Sequence, residues 1–209
     1  TSQYGFEYSD MRATLEQLAK VCKANAEMVF VIHHADSVIL KKNNSTKQCL
    51  TKVLSENGLL SILTKLVNAM AKASRNNDLS VIKYCSKCEK LRSMLNNKSR
   101  ALEVEFNDSF HDTNIGELIN LVFKELLHSS LIQKMQKINS YKLEAKQHFK
   151  RLSDLKSAAY SAKQLEFLLI EANYKGFEQL SVAELCDENT LLAWKVKWKK
   201  RSHYGTLDF

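Results

Sequence analysis

Residues 10–42 read DMRATLEQLAKVCKANAEMVFVIHHADSVILKK, and this stretch decides the fold that the sequence predicts. Its apolar residues recur in alternating steps of four and three, which is the spacing of a heptad seam on one helix face. The seam positions are Met11, Leu15, Leu18, Cys22, Asn25, Val29, Ile32, Asp36 and Ile39, and the polar Asn25 and Asp36 break the apolar pattern. At about 1.5 Å of rise per residue, the pattern predicts one helix on the order of 50 Å long.

The composition of the whole chain also favours helices. The 209 residues include no proline, the residue that most strongly interrupts a helix, and only five glycines. Each glycine can be placed at or beyond a helix end. Hydrophobic residues make up 44% of the chain, which is enough for a core. The predicted fold is therefore all-α: an elongated bundle of long antiparallel helices, with a dimerising coiled coil as one possible arrangement.

The predicted helices form a single domain that covers residues 1–209. Their ranges are 10–42, 46–56, 59–74, 79–110, 114–174 and 182–201. Two of them begin with the spacing of a capping box, in which a polar cap residue precedes a glutamate by three positions. These pairs are Asn114 with Glu117, and Ser181 with Glu184. A second heptad seam runs from Leu131 to Leu152.

The cysteines and the hydropathy pattern bear on the compartment. The five cysteines are odd in number and lie in apolar stretches, which indicates free thiols in a reducing environment. No apolar run approaches the roughly 20 residues that span a bilayer. The first ten residues lack the basic and apolar regions of a secretory signal. We therefore expect a cytoplasmic protein, either free or peripheral to membranes.

Net charge and a basic run on the longest predicted helix favour an anionic partner. The formal net charge is +8, and Glu144 and Asp154 are the only acids among the basic residues of this run. The basic residues are Lys134, Lys137, Lys142, Lys146, Lys150, Arg151, Lys156 and Lys163. As one stripe they would dock on lipid headgroups or phosphates. The alternative is an ordinary solvated helix face.

A second basic segment is LLAWKVKWKKR at residues 191–201. In a helix, Trp194 and Trp198 would lie one turn apart on the same face as Leu191. The flanking basic residues are Lys195, Lys197, Lys199, Lys200 and Arg201. Tryptophan favours the headgroup boundary and lysine favours anionic lipid, so the segment is typical of an interfacial anchor. The alternatives are docking in a partner's groove and packing of both tryptophans as an end cap.

Two short motifs raise the question of metal or redox chemistry. Cys85 and Cys88 have the C-x-x-C spacing of zinc and redox sites, but no second ligand pair accompanies them. Cys88 also lies on an apolar helix stripe, which favours a buried structural cysteine. The adjacent His33 and His34 would diverge on a helix and would not converge on one ion. We expect neither a metal site nor a cofactor.

The motifs of the common enzyme classes do not occur in the sequence. There is no glycine-rich phosphate loop, no nucleophile elbow, no H-E-x-x-H and no paired-carboxylate motif. We therefore expect no enzymatic activity, no catalytic residue and no small-molecule substrate.

The layout of three long helices with a basic surplus resembles that of BAR-domain membrane proteins. The three helices would be residues 10–42, 79–110 and 114–174, and the resemblance concerns the layout alone, without a diagnostic motif. It implies an antiparallel homodimer whose curved basic face, carried by the lysines of the longest helix, contacts anionic membrane.

The leading functional expectation is a non-enzymatic helical scaffold that binds anionic membrane surfaces as a dimer. The alternative is a protein-interaction or adaptor domain of a trafficking or cytoskeletal complex, whose heptad seams dock partner helices or whose basic faces meet an acidic protein surface. Nucleic acid is a third class of partner, because basic residues also suit phosphates.

Overall fold

The computed structural model of the chain describes residues 1–74, 82, 84–125 and 128–202. Its contacts divide the chain into two compact units. The sheet unit combines Thr1–Lys41 with Asp154–Phe209, and the helical unit is Lys42–Ser153. Two such units can belong to one domain or to two, so the single domain expected from the sequence stays a prediction.

The described elements include helices and strands in nearly every part of the chain. The strands are β1 (Ser2–Gln3), β2 (Glu27–His33), β3 (Phe177–Asp187) and β4 (Thr190–Lys200). The helices are α1 (Met11–Val21), α2 (Val38–Leu54), α3 (Leu59–Ala73), α4 (Ser86–Phe106), α5 (Asp108–His111), α6 (Ile115–Asn120), α7 (Leu131–Ala158) and α8 (Ala162–Tyr174). The fold is mixed α/β, so the prediction of an all-α bundle is wrong, and so is that of a coiled coil.

The four strands of the sheet unit form one mixed sheet in the order β1-β2-β4-β3. β1 is parallel to β2, whereas β4 is antiparallel to both of its neighbours. β2 and β4 pair over seven positions, from Glu27 opposite Lys199 to His33 opposite Ala193. The sheet therefore joins segments from the two ends of the chain.

Alternating burial explains why the predicted helix at residues 10–42 contains a strand. The buried positions are every second residue: Met28, Phe30 and Ile32 in β2, and Trp194, Val196 and Trp198 in β4. Such aromatic and β-branched side chains fit a pleated surface that is buried on one side. A helix seam would put Val29 and Ile32 on one face, but the strand puts them on opposite faces. Between α1 and β2, Asn25 takes the left-handed conformation with φ 63°.

Helices α1 and α8 supply the apolar side chains that pack on the buried face of the sheet. Asp10 caps α1, because its carboxylate accepts a hydrogen bond from the Ala13 N–H at 2.8 Å. Leu15 of α1 and Leu168 and Ala172 of α8 are completely buried. The amphipathic pattern of α1 was therefore read correctly, although the helix ends far earlier than the sequence predicted.

Trp198 lies at the centre of an aromatic cluster beneath these helices. Its ring centroid is 5.0 Å from that of Phe30, 6.3 Å from that of Phe6 and 6.2 Å from that of Phe177. Aromatic pairs at such distances contribute about 0.5–1.5 kcal/mol each beyond the burial of area. The cluster joins β2, β3, β4 and the segment before α1.

In the helical unit, two stripes of residues spaced by seven meet the core. Cys88, Leu95 and Leu102 are buried along α4, and Ile138, Ala145 and Leu152 are buried along α7. The predicted seam from Leu131 to Leu152 therefore lines the core of its own unit for most of its length. A partner helix cannot dock on those buried positions without unfolding the unit.

Gly58 sets the tight turn between α2 and α3. A Cβ atom at this position would lie 2.4 Å from the carbonyl oxygens of both Lys52 and Val53. Main-chain atoms cannot give way as a flexible side chain can, so only glycine fits here. The predicted range 59–74 agrees closely with α3 because Gly58 marks where it begins.

The other predicted helix ranges are wrong in their bounds. Range 46–56 corresponds to α2, which begins at Val38 and so also takes in the end of the predicted range 10–42. Range 79–110 becomes α4 and α5, separated at Asn107 with φ 46°, while residues 79–81 and 83 lie outside the described residues. Range 114–174 divides into α6, a π-helical turn at Leu121–Glu125, α7 and α8.

The predicted capping boxes do not form either. Asn114 precedes α6 in the left-handed conformation and makes no side-chain cap bond. Ser181 and Glu184 lie in strand β3, so range 182–201 is a hairpin rather than a helix. The capping box that does form joins Ser161 and Gln164 at the start of α8.

None of the helices within the described residues has the length and hydropathy to cross a bilayer.

We predict that Trp198→Ala lowers the free energy of unfolding by about 3–5 kcal/mol, because it empties the centre of the aromatic cluster. Trp198→Phe should cost distinctly less, since the aromatic ring stays and the indole N–H has no hydrogen-bond partner among the described residues. Urea unfolding followed by circular dichroism measures both losses. Equal losses in the two variants would contradict this account of the cluster.

Candidate functional site

The outer face of the sheet, opposite the helices, carries the lysines of β4. Lys195 is exposed, and Lys197 and Lys199 are half-buried on the same face. Lys197 Nζ lies 2.8 Å from Glu27 Oε2 on the neighbouring β2, and this hydrogen bond holds the pKa of Glu27 below its usual value. Glu178 of β3 pairs in register with Lys199. Carboxylates on both sides therefore offset much of the positive charge of this face.

The structure contradicts the reading of residues 191–201 as an anchor helix. Trp194 and Trp198 are only 8% and 1% exposed, so they cannot enter a headgroup layer. Lys200 is also buried: its Nζ donates to the Ala19 carbonyl at 3.0 Å and lies 5.1 Å from the centre of the Phe177 ring. The tryptophan spacing of four satisfies the two-residue period of a strand as well as one helix turn.

Arg201 follows the last strand and is held at the sheet unit as well. Its guanidinium donates to the side-chain oxygen of Asn173 in α8, and its backbone N–H donates to the Gly176 carbonyl at 2.9 Å. These bonds fix the end of β4 against the turn that precedes β3. Arg201 is nevertheless exposed, so the predicted anchor residues that remain accessible are Lys195, Lys197, Lys199 and Arg201.

The predicted lysine stripe of the long helix splits into two flanks of α7. Lys142, Lys146 and Lys150 are spaced by four, so they lie one above another, and all three are exposed. No ion pair joins them to a carboxylate within the described ranges. We name these three the lysine flank.

The remaining basic residues of the predicted stripe lie elsewhere. Lys137 and Arg151 are exposed and share the opposite flank of α7 with Glu144, at a spacing of seven. Lys134 is half-buried, and burial lowers its pKa. Lys156 and Lys163 are exposed, but both belong to the sheet unit. Within the helical unit, the predicted residues therefore lie on different sides of α7 rather than on one surface.

Strand β3 forms an edge of the sheet and was not identified from the sequence. Its inner edge pairs with β4, and most of its 11 residues are exposed. No backbone hydrogen bond joins its outer edge to another of the described residues. Register shifts occur between Gln179 and Ser181 and between Leu185 and Cys186, so residues 181–185 remain regularly paired. This stretch is the regularly paired part of the edge that stays open on its outer side.

The charge of β3 differs from that of the rest of the chain. It contains the acids Glu178, Glu184 and Asp187 and no lysine or arginine, in a chain of net charge +8. Edge strands commonly carry lysines that discourage unwanted pairing, and β3 lacks them. Leu180 is 41% exposed beside the acids. The edge therefore combines free main-chain groups with negative charge.

At the other edge, the buried carboxylate of Glu7 fills a gap in the hydrogen bonding of β2. The Tyr4 N–H donates to Val31, and the Tyr160 N–H donates to the His33 carbonyl further along the strand. Between them, the His33 N–H donates to Glu7 Oε1 at 3.2 Å. Glu7 thus replaces a main-chain acceptor. The sequence could not suggest this role, because the predicted fold contained no strand beside Glu7.

His33 and Glu7 form a buried titratable pair at this edge. His33 Nε2 lies 3.9 Å from Glu7 Oε1, and the Tyr4 ring stacks on the imidazole at 4.3 Å. Glu7 Oε2 and His33 Nδ1 are buried without a hydrogen-bond partner among the described residues. Burial lowers the pKa of His33, although Glu7 acts in the opposite direction.

His34 packs within the sheet unit in a different direction. Its ring stacks on Trp194 at 4.2 Å, its Nδ1 accepts from the Asp36 N–H at 2.9 Å, and its Nε2 lies 3.6 Å from Glu184 Oε1. The two histidines therefore do not converge. Nowhere in the described ranges do three or more His, Cys, Asp or Glu side chains gather as metal ligands would.

Cavities of the helical unit include an open groove of about 580 Å³ along α6 and α7. Glu117, Glu125 and Glu144 line it together with Lys137 and the Tyr141 ring. Burial raises the pKa of Tyr141, whose hydroxyl donates to the Thr113 carbonyl at 2.9 Å. The hydroxyl is thus committed to a structural bond.

We predict that His33 makes the fold less stable in mild acid. Because burial depresses its folded pKa below the ordinary value of about 6.5, the unfolded chain binds more protons below that pH. The free energy of unfolding should therefore fall between pH 7 and pH 5. The uptake of one full proton would lower it by at most about 1.4 kcal/mol per pH unit, and we expect a smaller loss than this maximum. Urea unfolding at both pH values measures it.

His33→Gln should reduce this loss, whereas Tyr4→Phe keeps the stacked ring and the imidazole and should retain it. If the two variants keep the same dependence on pH as the original chain, His33 is not a source of the acid sensitivity.

Comparisons of the chain with known protein families, with curated proteins and with solved structures find no match. They neither support nor refute the resemblance to BAR-domain proteins.

Proposed function

We propose that the chain is a non-enzymatic protein-interaction module that binds an extended, basic segment of a partner protein along the outer edge of β3. The observation that carries the proposal is the composition of the exposed edge strand β3. It contains three acidic residues and no lysine or arginine, although the chain as a whole has a net positive charge. In strand addition, the main chain of the bound segment supplies hydrogen bonds and its side chains supply specificity.

The open edge at residues 181–185 supports strand addition as the mode of binding. The register of β3 with β4 is regular over this stretch, and a regular strand presents donors and acceptors at the spacing that another strand needs. The bulges on either side bend the strand and limit the length of the pairing. We expect contact over about five residues of the partner.

The charge of β3 supports a basic occupant rather than a second copy of the same strand. Two copies of β3 would bring Glu178, Glu184 and Asp187 of each copy close together, and like charges across strands destabilise pairing. On its inner edge, β3 already pairs with the lysine-rich β4, with Glu178 opposite Lys199. A basic strand on the outer side repeats that complementarity.

This proposal keeps the class of the alternative function expected from the sequence but changes the surface. The predicted seam from Met11 to Ile39 is divided among α1, β2 and α2, and the seam from Leu131 to Leu152 is largely buried. We expect the module to act in the cytoplasm, which five free cysteines favour.

The test uses a fluorescent peptide of alternating lysine and threonine, as long as the 11 residues of β3. It should bind at low salt and slow the hydrogen exchange of β3 amides, while a peptide with glutamate in place of lysine should not. Glu178→Lys combined with Asp187→Lys should weaken binding roughly 30-fold, because each reversal removes about 1 kcal/mol at a surface.

The matched control combines Glu56→Lys with Asp108→Lys, which change the net charge by the same amount at exposed positions of the helical unit. It should bind the lysine peptide as the original chain does. Binding that leaves the β3 amides unprotected, or that the control variant weakens equally, would refute the edge as the site.

A second candidate function, binding to anionic membrane surfaces, is favoured by the lysine flank of α7. Lys142, Lys146 and Lys150 are exposed, one turn apart and not neutralised by a described carboxylate. Each can contribute about 1 kcal/mol near an anionic leaflet. In this candidate the chain acts as a homodimer, which would double the number of lysines that meet one surface.

Vesicles that contain phosphatidylserine test this candidate by co-sedimentation at low salt. Replacing Lys142, Lys146 and Lys150 with serine should reduce partitioning on the order of 100-fold. Replacing Lys23, Lys65 and Lys90, which are also exposed, serves as the matched control and should have a smaller effect. Equal losses in both triple variants would indicate attraction by net charge alone.

A further inference from the structure

Cys85 and Cys88 lie together at the N-terminus of α4. Cys85 is the N-cap residue, with φ −84° and ψ 98°, and its sulfur accepts a hydrogen bond from the Cys88 N–H at 3.3 Å. Side chains three residues apart in the first turn of a helix are neighbours, with Cβ atoms about 5–6 Å apart. The two thiols also hydrogen-bond each other. They therefore form a pair in space as well as in sequence.

The two thiols differ in their access to solvent. Cys88 is fully buried in the core of the helical unit, alongside Leu95 of the same helix. Cys85 is half-buried, and the preceding Tyr84 is 87% exposed, so this part of the chain lies at the surface. Of the two residues, Cys85 is therefore the one with surface open to solvent.

Their surroundings also favour different protonation states. Hydrogen bonds from the Cys88 thiol and from the Cys88 N–H lower the pKa of Cys85, and the charge of Lys87 acts in the same direction. The positive end of the helix dipole favours the same thiolate. Burial raises the pKa of Cys88 to about 11, so its proton stays in place while Cys85 ionises.

We propose that Cys85 and Cys88 are a redox-active dithiol that exchanges with small disulfides, with Cys85 as the attacking thiol and Cys88 as the resolving thiol. The sequence favoured a buried structural cysteine, because no second ligand pair accompanies the C-x-x-C motif and Cys88 lies on an apolar stripe. The burial of Cys88 agrees with that reading, but Cys85, which is only half-buried and lies at a helix N-terminus, adds a reactive thiol that the motif alone did not establish.

The exchange balances with a disulfide such as oxidised glutathione as the oxidant. The Cys85 thiolate attacks one sulfur of glutathione disulfide, the S–S bond breaks, and one glutathione leaves as a thiolate. Cys88 then loses its proton to solvent or to that thiolate and attacks the Cys85 sulfur, which releases the second glutathione. Two thiols of the chain are oxidised, and one disulfide is reduced to two glutathione molecules.

The other cysteines provide internal controls for this reaction. Cys49 is fully buried, and burial raises its pKa to about 11. Cys22 is half-buried with its sulfur 3.5 Å from that of Met28. Cys186 is exposed on β3, and no described hydrogen bond reaches its sulfur. If exposure alone governed reactivity, Cys186 would react first; if the helix N-terminus governs it, Cys85 would.

Alkylation of the folded chain with iodoacetamide, followed by peptide mass spectrometry across pH 5 to 9, measures which thiol ionises first. The reaction midpoint of Cys85 should lie below that of Cys186, and Cys88 should stay unmodified. In Cys88→Ala, the Cys85 midpoint should rise toward that of Cys186, because the side-chain donor at position 88 has been removed. A Cys85 midpoint at or above that of Cys186 in the original chain would overturn the proposal.

Equilibration in mixtures of reduced and oxidised glutathione tests the resolving step. The original chain should lose two hydrogens in mass and yield a peptide linked through Cys85 and Cys88. Cys88→Ser should instead accumulate one glutathione on Cys85, whereas Cys85→Ser should leave Cys88 reduced. Cys186→Ser is the matched control and should oxidise as the original chain does. A lasting glutathione adduct on Cys85 in the original chain, or no internal disulfide, would refute resolution by Cys88.

Circular dichroism and urea unfolding of each variant show whether the fold is intact. Cys85 is not fully buried, so Cys85→Ser should stay folded even if Cys88→Ser loses stability. The alkylation result on the original chain requires no variant at all. This reaction does not depend on peptide binding at β3, and either proposal can fail while the other holds.

Discussion

The pairing of β2 with β4 is the constraint on which the sheet unit depends. It buries alternate residues of both strands, among them Phe30 and Trp198, against α1 and α8. It also determines which charges remain accessible, because the same alternation turns Lys195 outward. With β4 in the centre of the sheet, β3 is necessarily an edge. The burial of Trp194 and Trp198, the lysines on the outer face of β4 and the acidic edge at β3 thus all follow from one strand pairing.

Local sequence patterns predicted the elements whose packing is local. α3 was found almost to the residue, since its apolar stripe is dense and Gly58 marks its start. β2 and β4 were missed for a physical reason: Trp194 and Trp198 are four apart, which suits both a helix turn and a strand, and Val29 and Ile32 fit a seam by chance. What distinguishes a strand from a helix here is the presence of a partner strand. That partner lies at the opposite end of the chain and does not change the local spacing of apolar residues.

The accessible groups were predictable only in part. Exposed lysines such as Lys146 follow from charge, but their division between two flanks follows from which side of α7 meets the core. Glu7 gave no signal, because a carboxylate that replaces a main-chain acceptor matters only beside a strand. For Cys85 and Cys88 the motif was visible, yet their unequal burial came from the position of α4 in its unit.

The order of the two units along the chain has a consequence for synthesis on the ribosome. The helical unit, Lys42–Ser153, is continuous in sequence, whereas the bond from Lys200 to the Ala19 carbonyl joins residues 181 positions apart. A chain emerging from its N-terminus thus presents the apolar face of β2 long before β4 exists to pair with it. Because early folding of the helical unit shortens the flexible loop that must close, it lowers the entropic cost of that last pairing. The nascent chain must keep β2 from aggregating during that interval.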